Sequence, residues 1–207
     1  MDKMLLVYAH LIATCMAIGV IVMTDMRLLA KLARYKVVIP PPERFETRMI
    51  MVALTALVLS GGTIIALGLA TDPNYLNNPK LQAKLMLVAI LSLNAVVLHY
   101  VTFPRLARAR PVASWNFIDH LAVAIPVGLS NSLWFYCAFL GIARAWSYKV
   151  SMEHVLTVAG VLASVTAFSV LIALRFAARD EPVDRRPDLI DTVKSQISSI
   201  MGLEPYR

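Results

Sequence analysis

The chain has 207 residues, of which 58% are hydrophobic and only 16% charged, with a formal net charge of +7; its mean hydropathy is +0.67. A soluble domain carries about 25% charged residues, so the composition excludes an ordinary soluble enzyme and predicts an integral membrane protein. The motifs of soluble chemistry are missing from the sequence too: there is no His-Glu-x-x-His, no Gly-Lys-Ser/Thr phosphate loop and no Gly-x-Ser-x-Gly elbow.

A helix needs about 20 residues to cross a hydrocarbon core. Five apolar runs meet that length: Met4–Met23, Met49–Ala70, Leu85–Phe103, Phe117–Ala143 and Val155–Ala178. The expected fold is an all-α integral membrane bundle of five transmembrane helices, at about 4–30, 46–71, 81–104, 115–144 and 152–178, in one domain over residues 1–180. The first run opens with Met-Asp-Lys and is followed by Asp25 and Arg27 where a small-residue cleavage site would fall, so it reads as a retained helix. Pro40, Pro41 and Pro42 stop its continuation. The stretch TDPNYLNNPK is turn chemistry between the second and third helices. Tyr75, Trp115, Trp146 and Tyr148 stand near span ends, where amphipathic rings favour the headgroup zone. Pro126 lies inside the fourth helix as a candidate kink. In the polar tail over 181–207, Leu189, Val193, Ile197 and Ile200 recur at helical spacing and predict a short amphipathic helix on the membrane surface.

The basic residues are distributed unevenly. Loop 1 holds Arg27, Lys31, Arg34, Lys36, Arg44 and Arg48, loop 3 holds Arg105, Arg108 and Arg110, and the C-terminal end holds six more. The opposite side has only Lys3, Lys80, Lys84, Arg144 and Lys149. Short cytoplasmic loops collect Lys and Arg, so fifteen against five predicts an outside N-terminus and a cytoplasmic C-terminus, as in a bacterial inner membrane. The positive charge is thereby explained by topology, with no nucleic-acid partner required. Cys15 and Cys137 fall inside predicted helices without Cys-x-x-Cys spacing and read as small apolar residues.

All four histidines lie in or at the edge of these helices. Counting about 1.5 Å of rise per residue pairs them by depth: His10 with His154 near the outer face, and His99 with His120 near the inner face. An imidazole in an apolar medium is costly unless it finds a partner, and iron is a strong one. Bundles supply such ligands from facing helices. The pattern predicts haem b, one or two per chain, with His99 and His120 on one iron and His10 and His154 on a second. Taken singly, each histidine also reads as a hydrogen-bonded interface residue. Ala13, Thr14, Ala17 and Gly19, Ser60, Gly61 and Gly62, and Gly128, Ser130, Asn131 and Ser132 would leave room for a flat macrocycle. Small residues equally serve ordinary helix contact.

The other polar residues have two readings each. Arg48, Arg105 and Arg108 are candidates for haem propionates or anchors at the interface. Asp25 and Arg27 read as a local ion pair. Asn94 and Asn131 read as interhelical hydrogen bonders. Lys84 reads as a snorkelling lysine, a propionate partner or a ligand. Met1, Met4, Met16, Met23 and Met26 along the first helix raise a copper reading, since thioethers suit Cu(I).

YAHLIATCMAIGVIVMTDMRLLAKL resembles the first helix of small haem-associated membrane proteins of the HemJ and CopD type, with its His-Leu pair and its Asp-x-Arg-Leu end. RMIMVALTALVLSGGTIIALGL is similar to their second helix, and LQAKLMLVAILSLNAVVLHY to their third, with a lysine at its start. The likeness covers roughly residues 7–145. It implies that His10 and Lys84 are haem ligands, as in HemJ-type protoporphyrinogen oxidases. The chain departs from the type in the longer lysine-to-histidine spacing of the third helix and in IDHLAVAIP, which adds His120.

The leading expectation is a membrane b-type cytochrome that exchanges electrons with a quinone or with a cytochrome or soluble oxidoreductase partner. The alternatives are a single-haem porphyrinogen oxidase and a copper-handling or haem-free membrane subunit.

Overall fold

Prolines and asparagines set where the helices begin. In this computed structural model, which describes residues 3–32, 38–108 and 110–179, α1 runs Lys3–Leu32 and α2 runs Arg44–Thr71 after the non-helical prolines. Asn78 accepts from the Lys80 amide at 3.1 Å and Pro79 fills the first turn of α3, Pro79–Val97. Proline suits that position because its missing N–H would be unsatisfied there anyway. A π turn over Leu98–Thr102 and a single α turn, α4 (Phe103–Leu106), complete the third span. Asn116 accepts from the Asp119 amide at 2.8 Å to start α5, Phe117–Ile142. The last helix, α6, is Met152–Arg179. The tail helix expected over 181–207 lies outside the described residues.

Five of these stretches are long and apolar enough to cross a bilayer, each of 26 to 28 residues. Large apolar side chains such as Leu59, Leu93, Val165 and Phe168 are exposed on their outer surfaces. Such a surface belongs in lipid, where helices satisfy their own backbone groups. The chain is an all-α integral membrane bundle.

The central helix is α5. In its most apolar 18-residue stretch 56% of residues are buried, against 6% for α2. It packs along α6 and α3, while α1 pairs with α2 and reaches the rest through α5. The main core joins Ala17 and Ile21 of α1, Ala53 of α2, Leu87 and Leu91 of α3, Leu133 and Leu140 of α5, and Val155 of α6. A second cluster around Leu106, Val112, Val123 and Leu174 closes the opposite end. Gly128 brings α5 against α6: a Cβ there would lie 2.4 Å from the Ala167 Cα.

Pro126 explains how α3 is fastened to α5. A proline inside a helix cannot donate to the carbonyl four residues back, which leaves the Ala122 carbonyl free. The Thr102 hydroxyl donates to that carbonyl at 2.9 Å. Asn94 donates to the Pro126 carbonyl itself at 2.8 Å, one of the two interhelical bonds expected of the mid-helix asparagines. The π turn that carries Thr102 precedes Pro104, which likewise has no N–H, and here the Phe103 amide reaches back to Leu98.

Candidate functional site

Polar side chains gather at both ends of the bundle. At the end where α1 begins, His10 turns toward α2, and its Nδ1 lies 2.8 Å from the Ser60 hydroxyl. The Ser60 hydroxyl directs its one hydrogen to the Ala56 carbonyl at 2.6 Å. Toward His10 it therefore accepts, and Nδ1 carries the ring proton. The Nε2 lone pair is left available, which is the orientation found in metal-binding histidines held from behind by a hydrogen bond. Gly61 keeps space beside the ring, since a Cβ there would sit 3.4 Å from the His10 Cε1.

Lys84, in the second turn of α3, lies within electrostatic reach of His10. Its Nζ faces Gly141 of α5, and the buried Cys137 thiol stands in the same neighbourhood. No carboxylate pairs with Lys84 among the described residues. Lys80, by contrast, donates to the Ala143 carbonyl at 2.9 Å and caps α5. Three donor side chains from α1, α3 and α5 thus stand near one another: His10, Lys84 and Cys137. The sequence alone presents Cys137 as core filling and Ser60 only as a small residue; the run Ser60-Gly61-Gly62 opposite a helical histidine is the available signal.

The other expected pairs are not assembled. His154 is exposed at the start of α6 and packs edge-on against Trp146, with no bond or ring contact to His10 among the described residues. His120 is 2% exposed; its Nδ1 donates to the Asn116 carbonyl at 2.8 Å and its ring meets Trp115. Its Nε2 is buried without a hydrogen-bond partner. His99 is exposed instead, edge-on to Tyr100 and Phe103. One ring is closed inside the bundle and the other lies outside it, so no common space is open between them. The reason is rotation: depth is counted along a helix axis, while the π turn resets the direction in which His99 points.

The candidate anionic-group partners divide as well. Arg105 and Arg110 both lean on Asp119, at 3.7 and 3.5 Å, and Arg105 also donates to the Val101 carbonyl. Arg27 does not pair with Asp25 as expected; it bonds Glu46 at 2.7 Å and Glu43 at 3.3 Å. Asp25 accepts from Asn131 at 2.8 Å, the second expected interhelical asparagine bond. Arg48 lines a groove of about 440 Å³ with Arg44, His99 and Phe103. Met4, Met16, Met23 and Met26 are exposed, which turns the methionines of α1 toward lipid. Among the described residues no group of three or more His, Cys, Asp and Glu side chains is placed to hold a metal ion.

Compared with protein-family models, with curated proteins and with solved structures, the chain matches none.

Proposed function

We propose that the protein is a haem-dependent membrane oxidoreductase of the HemJ kind, with a single haem b held by His10 and Lys84. The observation that carries this reading is His10 itself: its tautomer is fixed by Ser60, its Nε2 lone pair is free, and Lys84 of another helix stands within electrostatic reach. When bound, the haem supplies one-electron chemistry whose potential follows its axial ligands and burial. The residues do the holding. Ser60 keeps the imidazole from rotating, Gly61 and Gly141 leave space at the two donors, and Lys84 gains as a ligand the partner it otherwise lacks. Exposed apolar faces of α1 and α2 keep the site open to lipid-soluble substrates such as a quinone or a porphyrinogen.

The two-haem electron-transfer reading has less support, because His99 and His120 face apart. A reduced-minus-oxidised visible spectrum of the purified protein tests the proposal. A b-type spectrum is expected, absent in His10→Ala and intact in His99→Ala and His120→Ala. A colourless wild-type protein, or pigment that survives in His10→Ala, overturns it.

A further inference from the structure

The groove at the opposite end of the bundle has a chemistry of its own. Its floor is apolar, from Pro41, Pro42, Phe103 and Pro104, and its rim carries Arg44, Arg48 and His99. Arg44 and Arg48 are four residues apart, so they share one face of α2. The nearby acids are already engaged. Glu43 and Glu46 accept from Arg27, and Asp119 takes Arg105 and Arg110. Arg175 lies over the Phe117 ring. Among the described residues, Arg44 and Arg48 are therefore left with no acid, on the lip of an apolar groove where two membrane spans end. That level of the bundle is where lipid headgroups lie.

We propose that this groove binds an anionic phospholipid, the phosphate held by Arg44 and Arg48 with His99 beside it and the acyl chains running down the exposed face of α2. Two arginines match a phosphodiester bidentately, and basic pockets between spans are a recurrent way of holding acidic headgroups. The exposed apolar residues Met51, Val52 and Leu59 continue from the groove along α2 toward the bilayer centre. This inference stands apart from the haem proposal and is read without pigment.

The test uses the full chain, delipidated in a neutral detergent and titrated with phosphatidylglycerol or phosphatidylcholine of matched chains, with melting temperature and native mass spectrometry as readouts. Phosphatidylglycerol is expected to bind and raise the melting temperature, and phosphatidylcholine to do neither. Arg44→Gln with Arg48→Gln should weaken the phosphatidylglycerol response about 30-fold, and either single change about fivefold. Arg108→Gln removes an exposed arginine outside the groove and should change nothing. Arg44→Lys with Arg48→Lys should keep the preference for phosphatidylglycerol, and it carries the test if the glutamine pair does not fold. Equal response to the two lipids, an Arg108→Gln loss as large as the double loss, or the same stabilisation by inorganic phosphate alone would each overturn the proposal.

Discussion

At the end that holds His10, polar side chains are drawn into the bundle, whereas at the end that holds Arg48 the cations stay at the rim. His10 and Lys84 are half-buried between helices, one fixed by Ser60 and the other without a carboxylate among the described residues. Arg44 and Arg48 are exposed, and the acids beside them are bound to other arginines. An ionisable residue taken inside a membrane protein is costly and marks a site, while exposed arginines at a span end meet headgroups at little cost. The comparison teaches that the number of charges at an end says less than where their partners are.

The sharpest way to break the comparison is to exchange its two ends in one assay. Lys84→Met is expected to abolish haem retention and Arg48→Gln to leave it whole, read as haemochrome per mole of purified protein. Equal retention in both would mean that the inward cation is a snorkelling residue like any other, and that the two ends are alike in this respect.

The next effect is structural and concerns the helix both ends share. A Cβ at Gly128 would fall 2.4 Å from the Ala167 backbone, so Gly128→Leu must push α6 from α5. The loss should reach the upper end of the about 1–3 kcal/mol seen for overpacking, as a lower midpoint in denaturant. Gly62, which has open space around a Cβ, is the control: Gly62→Ala should leave that midpoint in place.

Which of these features can be read from the sequence depends on what periodicity can report. Spans, caps and the two bonding asparagines are local or composition-driven, and they appear where expected, with α5 starting at Phe117 because Asn116 caps it. The facing of side chains is harder to read. These helices are apolar on nearly every side, and a helix hydrophobic all round has no stripe that names its inner face. One added residue turns the next stretch of helix by about 100°, so the π turn before Pro104 redirects His99 with no change in composition. Arg27 has Asp25 two residues away, yet residues so spaced on a helix do not face each other; its partners come from the far side of loop 1.

A smaller effect sharpens the His10 end alone. Ser60→Ala leaves the imidazole free to rotate and its Nδ1 without a partner. Outer partners of this kind cost about 10–100-fold in affinity when removed, so haem should be lost faster to an acceptor such as apomyoglobin while the spectrum keeps its shape. Thr63 is also on α2 but donates only within its own helix; Thr63→Val should release haem at the wild-type rate. If Ser60→Ala releases haem no faster than Thr63→Val, His10 is oriented by something else.

The smallest expected effect lies midway, at the bond that repairs the proline. Thr102→Val keeps shape and removes the one hydroxyl that reaches the Ala122 carbonyl, which Pro126 cannot satisfy. Interhelical hydrogen bonds in membranes are worth about 0.6 kcal/mol on average and reach about 1.7. Thr102 is fully buried and its acceptor has lost its helical donor, so a value near the higher figure is expected. Unfolding in a denaturing detergent would measure it, with Thr55→Val as the reference, since Thr55 is exposed and bonds only within α2. Equal stability of the two variants would mean that the carbonyl finds another donor, and that α3 is held to α5 by packing and Asn94 alone. A loss confined to Thr102→Val would show that the proline and the π turn act as one joint, with each supplying the polar group that the other leaves open.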